Sequence, residues 1–143
     1  MRSRDALDAP EALVLTMVLV AAADGGMTDR EIGVMSGLVQ TLPAFREFTK
    51  QQLREATEAA VRLLHEEDGL SHAARLIRSA LTPKLRETAY SLACEVIAVD
   101  EVAGQESLQM LEFVGSELHL DPLVAAAIER GVRARYRRVE GAS

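Results

Sequence analysis

Between Ala12 and Ala23 the chain reads ALVLTMVLVAAA, a run without a single charge. On a helix this run is apolar on nearly every face, the pattern of a helix enclosed by protein on all sides. A second stretch, Ala89 to Val99, is almost as apolar. Two such helices need a shell of amphipathic neighbours to cover them, so the pattern predicts an all-α domain built around two buried central helices. Composition agrees. The 143 residues are 48% hydrophobic yet only 3% aromatic, with no Trp, so the core must come from Leu, Val, Ala, Ile and Met, which favours packed helices over strands. A chain of this length buries one substantial core. A single domain is expected over 10–138, flanked by looser segments at 1–9 and 139–143.

Breakers and caps divide the chain into about seven helices joined by short turns. The first runs from Pro10 to about Ala23. The second begins at Thr28 and carries Ile32, Met35, Leu38, Val39 and Leu42 at amphipathic spacing. After TLPAF a longer third helix places Leu53, Ala56, Ala60, Leu63 and Leu64 on one stripe and ends near EEDGL. The fourth spans Ser71 to Leu81, and TPK at Thr82 to Lys84 starts the fifth with proline in the first helical position. The sixth covers Gln105 to Leu118. A seventh opens on Asp121 and Pro122 and ends in RARYRR.

The first apolar run, preceded by MRSR and closed by three alanines, superficially resembles an export signal. Asp5, Asp8 and Glu11 load the region before it with acid, and the run is short of the roughly 20 residues that a membrane span requires. A cytoplasmic protein without membrane insertion is expected. A formal net charge of −6 repels nucleic acid at long range, so no nucleic-acid partner is expected either.

The two apolar helices belong to an internal repeat. LVAAAD, Leu19 to Asp24, aligns with EVIAVD, Glu95 to Asp100; each is followed by a short turn, a glutamate and another amphipathic helix. Glu31 precedes Met35, Leu38 and Val39 at the offsets at which Glu106 precedes Met110, Phe113 and Val114. Two copies at this separation describe a duplicated helical hairpin, giving two pseudo-symmetric halves. Asp24 and Asp100 both sit at helix C-termini, where the macrodipole is already negative and a carboxylate is locally unfavourable. The free carbonyl oxygens of a helix end, joined by a carboxylate, make an oxygen-rich pocket suited to a hard cation such as calcium or magnesium.

AAADGGMTDRE closely resembles the mark of the TerB-like tellurite-resistance family, an apolar helix ending in alanine and DG and followed by a glutamate. The second copy, AVDEVAGQE, is looser: Glu101 replaces the glycine and the turn is one residue shorter. The resemblance covers about Leu13 to Arg135. It implies two pseudo-symmetric helical halves, a cytoplasmic role in tellurite or general stress response within a larger assembly, and a cation held by Asp24, Glu31, Asp100 and Glu106. Other stress-response proteins are the partners it implies, and a homo-oligomer is left open.

Two other readings of the acidic set stand beside the cation. Thr28 to Glu31 forms a capping box with Met27 and Ile32 placed as its hydrophobic staple, which accounts for Glu31 by itself, and Asp24 can bond turn amides. An acidic patch for a protein partner is the other. His65, His72 and His119 lack metal-site spacing. Cys94, the only cysteine, lies mid-helix among apolar residues and reads as core. Arg130, Arg133, Arg135, Arg137 and Arg138 read as solvated cations complementing a helix C-terminus. No nucleophile motif and no organic-cofactor motif is present, so the chain is expected to be non-enzymatic. A hydrolase using Asp24 and Glu31 as acid and base has no accompanying substrate motif. The leading function is a cation-responsive module; the alternative is a helical interaction scaffold whose acidic turns are structural.

Overall fold

The computed structural model describes residues 6–100 and 104–139. Among the described residues seven α-helices follow one another: α1 (Ala9–Ala21), α2 (Asp29–Thr41), α3 (Lys50–Leu64), α4 (Gly69–Ala80), α5 (Pro83–Ala98), α6 (Gln105–Glu117) and α7 (Pro122–Arg135). A 3-10 turn, Pro43–Phe45, links α2 to α3. No strand occurs among the described residues, and the chain is one all-α domain.

The uniform apolarity of α1 has the expected consequence. Every residue from Ala12 to Ala21 is buried. Thr16, the lone hydroxyl in this stretch, donates to the Ala12 carbonyl at 2.8 Å, so its burial leaves no polar atom unsatisfied. Asp8 caps the helix in a reciprocal box with Glu11, which starts α1 one residue before Pro10. The helix ends at Ala21, two residues short of the expected Ala23, with Ala22 as its cap. α5 is buried from Leu92 to Ile97 and runs alongside α1 as its main neighbour.

Helix α4 begins at Gly69, two residues before Ser71. Asp68 takes a left-handed backbone with φ of 57°, folding the chain back onto the end of α3. A Cβ on Gly69 would stand 2.2 Å from the Leu63 carbonyl oxygen, so only glycine fits there. α7 stops at Arg135, with Tyr136 as its cap, so Tyr136 to Arg138 lie beyond the helix.

The duplication is visible in the packing. α3 lies on α1 as α7 lies on α5. The second helix of each half reaches across: α2 packs on α5 more than on its own α1, and α6 packs on α1 as well as on α5. The two hairpins therefore interlock. That crossing brings the turn after α1 near the start of α6, and the end of α5 near the start of α2.

Candidate functional site

The first acidic turn is built locally. Beyond α1, the Gly25 N–H donates to the Ala22 carbonyl at 3.2 Å, and Gly25 itself takes φ of 113°, a conformation that favours glycine. Asp24 stands exposed at the head of this turn. Thr28 then caps α2: its hydroxyl accepts the Glu31 N–H at 3.1 Å, while Glu31 Oε1 accepts the Thr28 N–H at 2.8 Å. The capping box read from TDRE is complete, and Met27 and Ile32 border the same surface groove.

Capping does not exhaust Glu31. This residue is only 3% exposed, and its side chain lies within hydrogen-bonding reach of Asp100, just past α5. Burial pushes its carboxyl above the usual range; the Thr28 backbone N–H opposes that, and the Asp100 charge adds to it. Two acids in contact cannot both carry an uncompensated charge without cost, so this junction favours a proton or a cation.

The other two carboxylates both lie near Gly104, the N-cap of α6, which offers no side-chain cap. A Cβ placed on Gly104 would lie 3.5 Å from Glu106 Oε2 and 3.8 Å from Asp24 Oδ2. Of the four residues proposed from sequence, Glu31 and Asp100 interact across the halves, while Asp24 and Glu106 both lie beside Gly104. Glu101 lies outside the described residues. Among the described residues no group of three or more His, Cys, Asp or Glu side chains is placed to hold a metal ion. Carboxylate oxygens are hard donors, the type that calcium and magnesium take.

Beside Glu106, Ser107 is buried and its hydroxyl lies 3.5 Å from the Val20 carbonyl near the end of α1. The Val20 carbonyl also receives the Ala23 N–H at 3.5 Å, so the serine ties the start of α6 to a carbonyl of the last turn of α1. Sequence spacing gave no sign of it, because the equivalent position in the first half is the apolar Ile32.

A second polar cluster also escaped the sequence reading. Glu95 is 3% exposed inside α5. Its Oε1 accepts from Arg135 Nη1 at 2.7 Å and from the Tyr136 hydroxyl at 3.1 Å. A neighbouring bond runs from the Tyr90 hydroxyl to Glu129. Arg135 is therefore a structural partner and not merely a solvated cation at a helix end. The available signal was Glu95 itself, a lone acid in an otherwise buried helix, which must find a donor.

Cys94 flanks this cluster and is buried. Burial, with the Glu129 and Glu95 charges, pushes its thiol up to about 12 against a smaller opposing effect of Arg133. At neutral pH it is a protonated core residue. A cavity of about 350 Å³ adjoins it, walled by Ile97, Leu111, Asp100, Glu129 and Tyr136. The histidines do not gather: His65 Nδ1 lies 2.8 Å from the Val61 carbonyl, and His72 lies 3.6 Å from Glu66.

An interlocked pair of helical hairpins, carrying an aspartate after each central helix and a glutamate at the start of each crossing helix, defines the class of domain. The family model of tellurite resistance protein TerB matches residues 10–130. The chain belongs to the TerB family. Comparison with curated proteins and with solved structures gives no match.

Proposed function

We propose that this TerB domain is a non-enzymatic, cation-responsive module that acts in tellurite or general stress response as part of a larger assembly in the cytoplasm. The observation that carries the reading is the contact of Glu31 with Asp100 between the two halves. Two acids held together on a scaffold of buried helices are destabilising unless something positive lies between them. A calcium or magnesium ion there removes the repulsion and ties α2 to the end of α5. Binding would thereby tighten the seam between the halves, which is a means of reporting cation to a partner. Asp24 and Glu106, both exposed and both beside Gly104, would add further carboxylate oxygens near the start of α6.

Several observations bear on the remaining parts of the reading. Cys94 is a single buried thiol with its pKa pushed up to about 12, so reduction of tellurite by the isolated chain is not expected. No helix among the described residues is long and apolar enough to cross a membrane. The competing reading, a scaffold whose acidic turns are structural, draws support from the complete Thr28–Glu31 capping box. Calorimetric titration of the purified, chelator-treated protein with calcium and magnesium separates the two. Saturable heat that is lost in Asp100→Asn supports the cation-responsive module; absence of heat with either ion supports the scaffold.

A further inference from the structure

Between α2 and α3 lies a groove of about 370 Å³, within the size range of ligand sites. Its apolar lining comes from Met27, Met35 and Leu53, which pack against the core from below, and from Ile32, which is 48% exposed at the groove's edge. Lys50 and Arg54, both exposed, line it from α3 one helical turn apart. Among the described residues no acid lines it, although the whole chain carries a net charge of −6.

The two cations are poorly compensated where they stand. Arg54 Nη1 donates to the neutral amide of Gln51 at 2.8 Å. Neither Arg54 nor Lys50 enters an ion pair among the described residues. Lys50 occupies the first position of α3, where the helix dipole is already positive, and the first turn of α3 contains no acid. The corresponding cavity of the second half differs, since Asp100 and Glu129 line it together with Arg133.

We propose that the α2–α3 groove seats an amphipathic helix of a partner protein, one with apolar residues at i, i+3, i+4 and i+7 flanked by Glu or Asp. Two adjacent helices present ridges with a channel between them, the natural seat of a third helix. Ile32 and Met35 stand one turn apart on α2, matching the rise of such a ligand. The part-buried Met27 side chain adapts to varied apolar knobs, over a floor made by the buried Met35. Lys50 and Arg54, at i and i+4, meet acids spaced one turn apart on the incoming helix. The groove makes no use of the turn carboxylates, so it stands independently of the cation reading.

The test uses the full chain in EDTA, which removes any cation effect, and a fluorescent peptide of about 15 residues, roughly four helical turns. The peptide contains Leu at i, i+3, i+4 and i+7 with Glu on the flanks; a second peptide carries Lys in place of Glu. Fluorescence anisotropy should show saturable one-to-one binding of the acidic peptide and much weaker binding of the basic one. The double variant Lys50→Glu, Arg54→Glu should weaken the acidic peptide at least about tenfold. Ile32→Glu should do the same while circular dichroism and Tm stay near wild type. Equal binding of the two peptides, or unchanged affinity in the charge-reversed variant, overturns the proposal. So does saturable binding of dodecanoate without binding of the peptide, or a dimer of the chain that Ile32→Glu dissociates.

Discussion

Glu31, in the first turn of α2, meets Asp100, two residues past the end of α5, across the junction of the two halves. Neither residue could place the other from its own local sequence. The contact exists because α2 leaves its own hairpin to pack on α5. It turns a motif repeated along the chain into a pair in space, and it gives the duplicated hairpin a chemical feature at its seam.

The pH dependence of the cation-free protein follows from this contact. Burial and Asp100 raise the folded-state pKa of Glu31 above its ordinary value. A carboxyl shifted upward binds its proton more tightly when folded, so its contribution to stability is full below the unfolded pKa and is lost as pH rises through the folded one. In EDTA, Tm should rise on going from pH 7 to about pH 5, before general acid denaturation takes over. Asp100→Asn should flatten that rise. An equal slope in both proteins contradicts the coupling.

The core makes a harsher prediction. Ala21 and Ala93 are wholly buried on the two central helices, whereas Ala22 is the part-buried cap of α1. Ala93→Glu or Ala21→Glu should cost several kcal/mol, a large part of the stability of an ordinary domain, and abolish the cooperative melt. Ala22→Glu should be milder. Circular dichroism melts compare the three directly, and a stable Ala93→Glu protein would contradict the central placement of α5.

Glu95 holds the end of α7 through Arg135 and Tyr136. The Arg135 side chain is 65% exposed, so its removal is screened and Arg135→Ala should cost only about 1 kcal/mol. Glu95→Ala leaves the Tyr136 hydroxyl without its acceptor and opens space in α5, and should cost more, about 2–3 kcal/mol. Urea melts resolve the order. A reversed order would mean that Glu95 is not the anchor.

Cys94 supplies a chemical control. With its thiol pushed up to about 12 by burial, it should resist iodoacetamide at pH 8 in the native protein and react only on unfolding. Because its folded pKa is raised, its contribution to stability should persist below the unfolded thiol pKa and be lost as pH climbs toward about 12. Cys94→Ala should leave any tellurite-resistance phenotype nearly intact. Rapid native labelling, or loss of the phenotype at normal abundance, would assign the thiol redox work.

The architecture was legible because the two apolar runs leave a helix no solvent-facing side, and because Pro, Gly and capping residues punctuate the rest. Asp24, Glu31, Asp100 and Glu106 could be singled out from their offsets, since a repeat exposes what each copy keeps. The meeting of Glu31 with Asp100 could not, because offsets within a half carry no information about which half a helix packs against. Glu95 was hidden by the apolar pattern around it, and its partners lie 40 and 41 residues away. The α4 start was missed because the left-handed Asp68 and the tight approach of Gly69 to Leu63 are backbone events that periodicity does not register.

The most direct test of the cation-responsive account is the thermal shift of wild type and Asp100→Asn, with and without calcium or magnesium. Without cation, removing one of two mutually repelling acids should leave the variant slightly more stable than wild type. With cation the order should reverse. Binding to the folded state alone at a hundred times Kd contributes about 2.7 kcal/mol, a rise of about 8 °C for a domain of this size. Wild type should show that saturable rise and Asp100→Asn should lose most of it. If neither ion shifts wild type and Asp100→Asn merely lowers Tm, the account is wrong and the acidic turns are caps alone.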